Sequence, residues 1–96
     1  MGQTVHRVQG GGPSIAEVKA FLRSVLAEAA SLDPASIQDE SRLDDDIPLS
    51  SIAYLEVQVA VEDKFQITID PVEVAELQTF AQIAKLIAGK ARGEGG

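Results

Sequence analysis

The sequence predicts an all-α fold, a small four-helix bundle with three main helices and a short third one, on three observations. Apolar residues recur every three or four positions over long stretches, which is the spacing of a helix with one buried face. Residues that favour helix starts stand in front of these stretches. Only residues 66–69 alternate as a strand would, and no second strand candidate is present to pair with them. We therefore expect residues 66–69 to form an extended connector.

The composition indicates one small domain with glycine-rich ends. The chain has 96 residues, enough for a single core, and we expect flexible tails at 1–12 and 89–96 around a folded domain at 13–88. The lack of Cys excludes disulfides and thiolate metal sites, and the one histidine, His6, falls in the first tail. No apolar run is long enough for a membrane span and no signal-peptide pattern opens the chain, so we expect a cytoplasmic protein.

The first helix and the connection after it carry clear boundary signals. Ser14 and Glu17 form a Ser-x-x-Glu capping box, and the apolar stripe that follows predicts a helix to about Ala30. The long connection that comes next contains Asp33-Pro34, which predicts a turn of helix, and we expect Ile37 and Leu43 to anchor this connection by apolar contacts.

The remaining helices are predicted in the same way. The second should run from about Ser51 to Phe65 with Ser50 or Ser51 as its cap, and a short third should start at Asp70-Pro71 and end near Leu77. Thr79 should cap the fourth. Residues expected on the buried sides are Ile52, Leu55, Val59 and, as a further candidate, Val61 in the second helix, and Phe80, Ile83, Leu86 and Ile87 in the fourth.

The negative charge is concentrated in the middle of the chain. The net charge is −7, and residues 31–76 hold twelve carboxylates against Arg42 and Lys64, a local excess of ten negative charges. Such a surface repels nucleic acid and anionic membranes and attracts basic proteins. A solvated face that only improves solubility is the plain alternative.

Two adjacent serines, Ser50 and Ser51, follow the acidic loop and open the second helix. No neighbouring base is available to activate a hydroxyl there, which favours covalent modification over catalysis and argues against an enzyme. A calcium loop of the EF-hand kind is excluded, because Ile47 and Leu49 stand where oxygen ligands are required and Ser50 where glycine is. We therefore expect no metal site.

Residues 46–69, with Asp-Ile-Pro-Leu-Ser-Ser-Ile-Ala-Tyr-Leu-Glu and Glu-Asp-Lys-Phe-Gln-Ile-Thr-Ile, resemble the acyl carrier protein family. The resemblance extends over roughly residues 14–88. It implies that Ser51 carries a 4′-phosphopantetheine arm, added from coenzyme A by a phosphopantetheinyl transferase, with Ser50 as the less favoured alternative. Ser50 stands where the family usually has Asp, and Pro48 where Gly is common, so a loss of charge at Ser50 could slow loading of the arm.

The resemblance also implies how such a protein would work. It would hold acyl groups as thioesters and deliver them to acyl-transferring or acyl-activating enzymes of fatty acid, polyketide or related biosynthesis. Separately, we expect a monomer, because every apolar helix stripe can be buried within one bundle. Basic patches on those enzymes would meet Asp46, Glu56, Glu62 and Asp63. An acyl chain would be accepted by an interior that Ile52, Leu55, Val59 and Phe65 line or support. The alternatives are an arm-free adaptor that acts by protein–protein binding and a peptidyl or aminoacyl carrier.

Overall fold

The structure is a computed structural model that describes residues 12–93. Its elements are α1 (Ile15–Ala30), a 3₁₀ turn (Pro34–Ser36), α2 (Ser51–Phe65), α3 (Pro71–Ala75) and α4 (Phe80–Ala91). Within residues 12–93 there is no strand, only an isolated bridge between Arg42 and Thr79. The all-α prediction with a short third helix is confirmed. The connector after α2 forms no strand, as expected, but it is not extended throughout, because Gln66 adopts the left-handed conformation that ends α2.

The helix starts lie where the sequence predicts them. Ser14 and Glu17 form the capping box of α1, Ser50 caps α2 and Thr79 caps α4. Each cap accepts a hydrogen bond from a backbone N–H that the first helical turn leaves without a partner. The local start signals therefore coincide with the observed helix boundaries.

Two helix ends differ from the prediction. Helix α3 ends at Ala75, earlier than Leu77. Helix α4 continues to Ala91, so the expected C-terminal tail is wrong for residues 89–91. Ala88 is buried against the core and Gly89 follows it without ending the helix, because burial of the α4 face stabilises the last turn more than one glycine destabilises it. Residues 1–11, with His6, and residues 94–96 lie outside the described part of the chain.

The core lies mainly between α1 and α4. Helix α1 packs against both α2 and α4. The buried residues of these three helices are Val18, Leu22, Leu26 and Ala27 in α1, Val57 and Val61 in α2, and Phe80, Ile83, Ala84, Ile87 and Ala88 in α4. Helix α3 contributes no buried residue, so the α3 side of the bundle is the least enclosed.

The prediction that Ile52, Leu55 and Val59 form the buried side of α2 is wrong. Their exposed fractions are 70%, 57% and 62%, whereas Val57 and Val61 are 8% and 1% exposed. Helix α2 carries two apolar stripes, one on each side, and helical spacing does not tell which stripe faces the core. Only Val61, named as a further candidate, was placed correctly.

Phe65, at the end of α2, is half-buried rather than part of an interior lining. Its ring meets that of Phe21 edge to face, with centroids 5.5 Å apart. The Lys64 ammonium lies 5.5 Å from the centroid of the Phe21 ring. Phe65 therefore joins the C-terminal end of α2 to α1.

The connection between α1 and α2 is fastened to the start of α4. Its apolar anchors are Ile37 and Ile47, each 2% exposed, whereas Leu43, expected as an anchor, is half-buried. The backbone is tied across by hydrogen bonds from Leu43 N to Gln78 O, from Phe80 N to Ser41 O and from Ala81 N to Asp39 O, of 3.2, 2.8 and 2.9 Å. The loop that leads to Ser50 and Ser51 is therefore held at a fixed place.

Candidate attachment site

The structure separates the roles of the two adjacent serines. Ser50 has extended backbone angles and its Oγ accepts a hydrogen bond of 3.1 Å from Ala53 N, so its hydroxyl caps α2. Ser51 is the first residue of the helix and is exposed. Its side chain makes no hydrogen bond within residues 12–93. The hydroxyl of Ser51 is therefore the accessible one.

The start of α2 also offers backbone donors. Tyr54 N donates to Ser50 O at 2.9 Å, but the N–H groups of Ser51 and Ile52 find no protein acceptor in the described part of the chain. Unpaired amides and the helix dipole stabilise an anion at this position. A phosphodiester on Ser51 Oγ would lie beside these amides.

Arg42 organises the acidic loop that precedes the serines. Its Nε donates to Asp45 Oδ2 at 3.1 Å, its backbone N–H donates to Asp46 Oδ2 at 2.8 Å, and its Nη1 donates to Gln78 Oε1 at 2.9 Å. Asp44 Oδ1 lies 3.8 Å from the same guanidinium. The guanidinium thus offsets part of the charge of Asp44 and Asp45 and ties the loop to the segment between α3 and α4.

An open cleft of about 580 Å³ lies beside the serines, between α2 and α3. A second and much smaller space, of about 40 Å³, lies inside the bundle among core side chains. Four residues line both spaces: Leu43, Tyr54, Val74 and Ile83. Asp44 is the one carboxylate on the wall of the cleft, which is otherwise lined by Ser50, Ser51, Gln78 and apolar side chains.

Sequence reasoning missed most of these walls. Of the predicted interior residues, only Leu55 borders the cleft, and it does so from the exposed side of α2. Val74 and Ile83 come from α3 and α4, and only the folded bundle brings them to α2. A usable signal was present in Tyr54, which follows Ser51 by one helical turn and therefore lies on the same side of α2.

The carboxylates predicted to meet partners divide into two groups. Asp46, Glu56 and Asp63 are exposed. Glu62 is half-buried, and its Oε2 accepts a 2.8 Å hydrogen bond from Ile69 N. Gln58, one turn earlier, donates to Ile69 O at 3.4 Å. These two side chains hold the connector between α2 and α3.

The solvent face of α2 is apolar at its centre. Ile52, Leu55 and Val59 occupy positions i, i+3 and i+7, which lie on one side of a helix. The exposed carboxylates of Glu56 and Asp63 flank this stripe. A partner would therefore meet an apolar surface with negative charges along its edge.

Two further features bear on the class of protein. No group of His, Asp or Glu in the described ranges is arranged to hold a metal ion. None of the helices found between residues 12 and 93 has the length and hydropathy needed to cross a bilayer.

Comparisons with known proteins agree with this geometry. The family described as the phosphopantetheine attachment site matches residues 20–87. An acyl carrier protein of Myxococcus xanthus is 34% identical over 73 residues, covering 76% of this chain and 92% of the relative. The meromycolate extension acyl carrier protein of Mycolicibacterium aurum is 27% identical over 71 residues, covering 74% of this chain and 73% of the relative.

A solved structure shows the same fold. The HMG-ACPI domain from the CurA module of Lyngbya majuscula, determined by NMR, has a TM-score of 0.71 with this chain at 20% identity. The match covers 100% of this chain and 93% of that domain. At this identity the likeness concerns the fold alone.

The chain therefore belongs to the acyl carrier protein family, the carriers with a phosphopantetheine attachment site. It is a phosphopantetheine-bearing acyl carrier of acyl-handling biosynthesis. An exposed serine hydroxyl, two unpaired amides and an adjoining cleft are what a phosphate-linked arm requires, so the residues present fit this cofactor.

Proposed function

We propose that Ser51 is the residue that carries the 4′-phosphopantetheine arm. The observation that supports this most strongly is the different use of the two serine hydroxyls. Ser50 Oγ is engaged as the helix cap, while Ser51 Oγ is exposed at the mouth of the cleft. In loading, Ser51 Oγ loses its proton and bonds to the pantetheine-side phosphorus of coenzyme A. The bond to the nucleotide phosphate breaks and the nucleotide half leaves.

The amides of Ser51 and Ile52 would stabilise the phosphodiester anion so formed. When bound, the arm supplies a thiol that holds an acyl group as a thioester. Ser50 keeps these amides in place, because its cap fixes the first turn of α2. Asp44 on the cleft wall would keep the mouth of the cleft polar.

An acyl group on the arm would rest in the cleft between α2 and α3. Its apolar walls are those that the cleft shares with the interior: Leu43, Tyr54, Val74 and Ile83. The sequence predicted Ile52, Val59 and Phe65 for this role, but their side chains do not border the cleft. The fixed loop around Arg42 would hold the mouth of the cleft in one place while the arm moves.

The exposed stripe of α2 would be the surface that partner enzymes recognise. Ile52, Leu55 and Val59 suit an apolar hollow, and Glu56 and Asp63 suit a ring of Lys and Arg around it. The protein itself would act as a substrate-tethering partner of enzymes and not as an enzyme, which its membership of a carrier family supports. Its monomeric state and its cytoplasmic location stay predictions.

The attachment site is tested by intact-protein mass spectrometry. The protein is incubated with coenzyme A, magnesium and a broad-specificity phosphopantetheinyl transferase. We expect a gain of one arm on the parent protein and on Ser50→Ala, and none on Ser51→Ala. A gain that persists in Ser51→Ala would contradict the assignment. No gain on any variant with several transferases would favour the arm-free adaptor.

The docking surface is tested through the same transferase, which is itself a partner. Leu55→Ala should raise the KM for loading at low and high salt alike, because it removes apolar contact. Glu56→Gln with Asp63→Asn should slow loading mainly at low salt, since charges on the edge act through steering. Glu40→Gln, an exposed acid of the loop between α1 and α2, is the control. A loading rate that does not change with salt would contradict the role of the two carboxylates.

A further inference from the structure

Tyr54 lies at the boundary between the open cleft and the interior of the bundle. It borders the cleft together with Ser51 and Leu55, and it borders the interior space together with Leu22 and Val61. Its side chain is half-buried. The other residues shared by the two spaces, Leu43, Val74 and Ile83, come from the loop, α3 and α4.

Tyr54 differs from these three neighbours in two respects. Of the four residues that line both spaces, it alone lies on α2, about one helical turn from Ser51. An acyl group that enters the cleft from Ser51 would therefore contact the Tyr54 ring before the other three residues. Tyr54 is also the one aromatic wall, and its hydroxyl makes no hydrogen bond with any other residue of 12–93. Its position is therefore set by packing of the ring and not by a polar anchor.

The space behind Tyr54 is small. At about 40 Å³ it is of the order of one water molecule. Four of the side chains that line it are at most 2% exposed: Leu22, Leu26, Val61 and Ile87. Close-packed side chains of this kind resist the insertion of further methylenes. The cleft in front of Tyr54, by contrast, is open and partly polar, with Asp44, Ser50 and Gln78 on its walls.

We propose that Tyr54 determines the acyl class of this carrier: its ring separates the cleft from the interior, so short or oxygen-bearing acyl groups are held in the cleft and long alkyl chains are not buried. This inference rests on the proposed attachment at Ser51. Removal of the ring joins the two spaces and gives a longer chain a path into the bundle. The ring carries the effect, so the hydroxyl can be removed without changing it.

The test compares chain-length dependence in three proteins. The parent, Tyr54→Ala and Tyr54→Phe are loaded by the transferase from coenzyme A and from butyryl-, hexanoyl-, octanoyl- and decanoyl-coenzyme A. The melting temperature and the rate of thioester cleavage by hydroxylamine are then measured for each. For the parent and Tyr54→Phe, we expect no further rise in melting temperature beyond the butyryl form. For Tyr54→Ala, it should rise with each longer chain, and cleavage of the octanoyl form should slow several-fold.

Each result decides for or against the proposal. A parent whose melting temperature rises up to the decanoyl form would overturn it, as would identical profiles for the parent and Tyr54→Ala. If Tyr54→Ala does not fold, Tyr54→Leu serves in its place, because leucine keeps an apolar side chain but lacks the ring. Failure of the parent to load any arm would instead overturn the attachment at Ser51, and mass spectrometry reports this separately.

Discussion

Helices α1 and α4 differ from α2 and α3 in what they do with their apolar residues. The first pair places most of them inside, where Val18, Leu26, Phe80 and Ala84 are fully buried, and among its large apolar residues only Ile15, at 40%, is exposed. The second pair leaves large aliphatic side chains in solvent: Ile52, Leu55 and Val59 on α2, and Val72 on α3, which is 66% exposed. Helix α3 has no buried residue.

This difference separates stability from recognition. Within residues 12–93, nine of the fourteen buried hydrophobic residues lie on α1 and α4, so apolar burial on these two helices contributes the larger share of the stabilisation. The apolar surface of α2 and α3 stays available for an acyl group or a partner, and contiguous exposed apolar surface commonly marks such sites. Helix α3, which contributes no buried residue, is therefore the side of the cleft that can move at least cost to the fold.

The largest effect should come from the core. Leu26→Ala, at a position 0% exposed, should lower the free energy of unfolding by about 2–5 kcal/mol, because it removes buried methyl groups and leaves a cavity. Leu55→Ala, the same substitution on the exposed face of α2, should change it by no more than about 0.5 kcal/mol. Urea unfolding followed by circular dichroism measures both. Equal decreases in the free energy of unfolding of the two variants would contradict the distinction between the α1–α4 pair and the α2–α3 pair.

The next effect should come from the connector between α2 and α3. Glu62→Ala removes the acceptor of Ile69 N–H and should cost about 1–2 kcal/mol, since a part-buried donor loses its charged partner. Amide hydrogen exchange at Ile69 should become faster. Asp63→Ala, the neighbouring exposed acid, is the matched control. Unchanged exchange at Ile69 in Glu62→Ala would show that the connector does not depend on this bond.

A smaller effect is expected at the cap of α2. Ser50→Ala should cost about 1 kcal/mol, because Ala53 N loses its acceptor. Ser50→Asp should keep the stability, since Asp caps equally well, and should load the arm faster if the missing charge limits loading. Thermal unfolding and the initial rate of loading are the measurements. Equal loading rates for Ser50→Asp and the parent would mean that the missing charge at position 50 does not limit arm loading.

The smallest effect concerns the attachment of α3 to α4. Glu73 Oε1 is buried and lies 3.1 Å from Lys90 Nζ. Both side chains are partly exposed, at 36% for Glu73 and 15% for Lys90, so the coupling between them should be about 0.5 kcal/mol. A double-mutant cycle of Glu73→Gln and Lys90→Met would measure it. A coupling of zero would mean that α3 is held in place by apolar contacts and by the connector that Glu62 binds at Ile69.

Much of the fold could be predicted from the sequence because its signals are local. The caps at Ser14 and Thr79 and the Asp70-Pro71 start each depend on a few neighbouring residues, and they lie where expected. The motif around Ser51 likewise needs no tertiary information, and the family it indicated is confirmed. The end of α4 was misjudged, because burial of Ala88 depends on contacts from distant parts of the chain.

The site was predicted less completely, for a physical reason. Helix α2 has apolar residues on two sides, so spacing alone did not tell the packed side from the exposed one. The sequence does not show that Glu62 binds Ile69 N, because this hydrogen bond forms only in the folded chain. Val74 and Ile83 reach the cleft only through the assembly of α3 and α4. Local sequence patterns do not contain these long-range relations.

The hydrogen bonds that tie residues 39–43 to residues 78–81 bear on the order of folding. The two bonded segments are far apart along the chain, so bringing them together lowers the conformational entropy of the chain before the hydrogen bonds form. During synthesis, that loop cannot close until the start of α4 has left the ribosome. A chain that stops before α4 therefore lacks the hydrogen-bond partners of residues 39–43, and the loop that leads to Ser51 is not fastened.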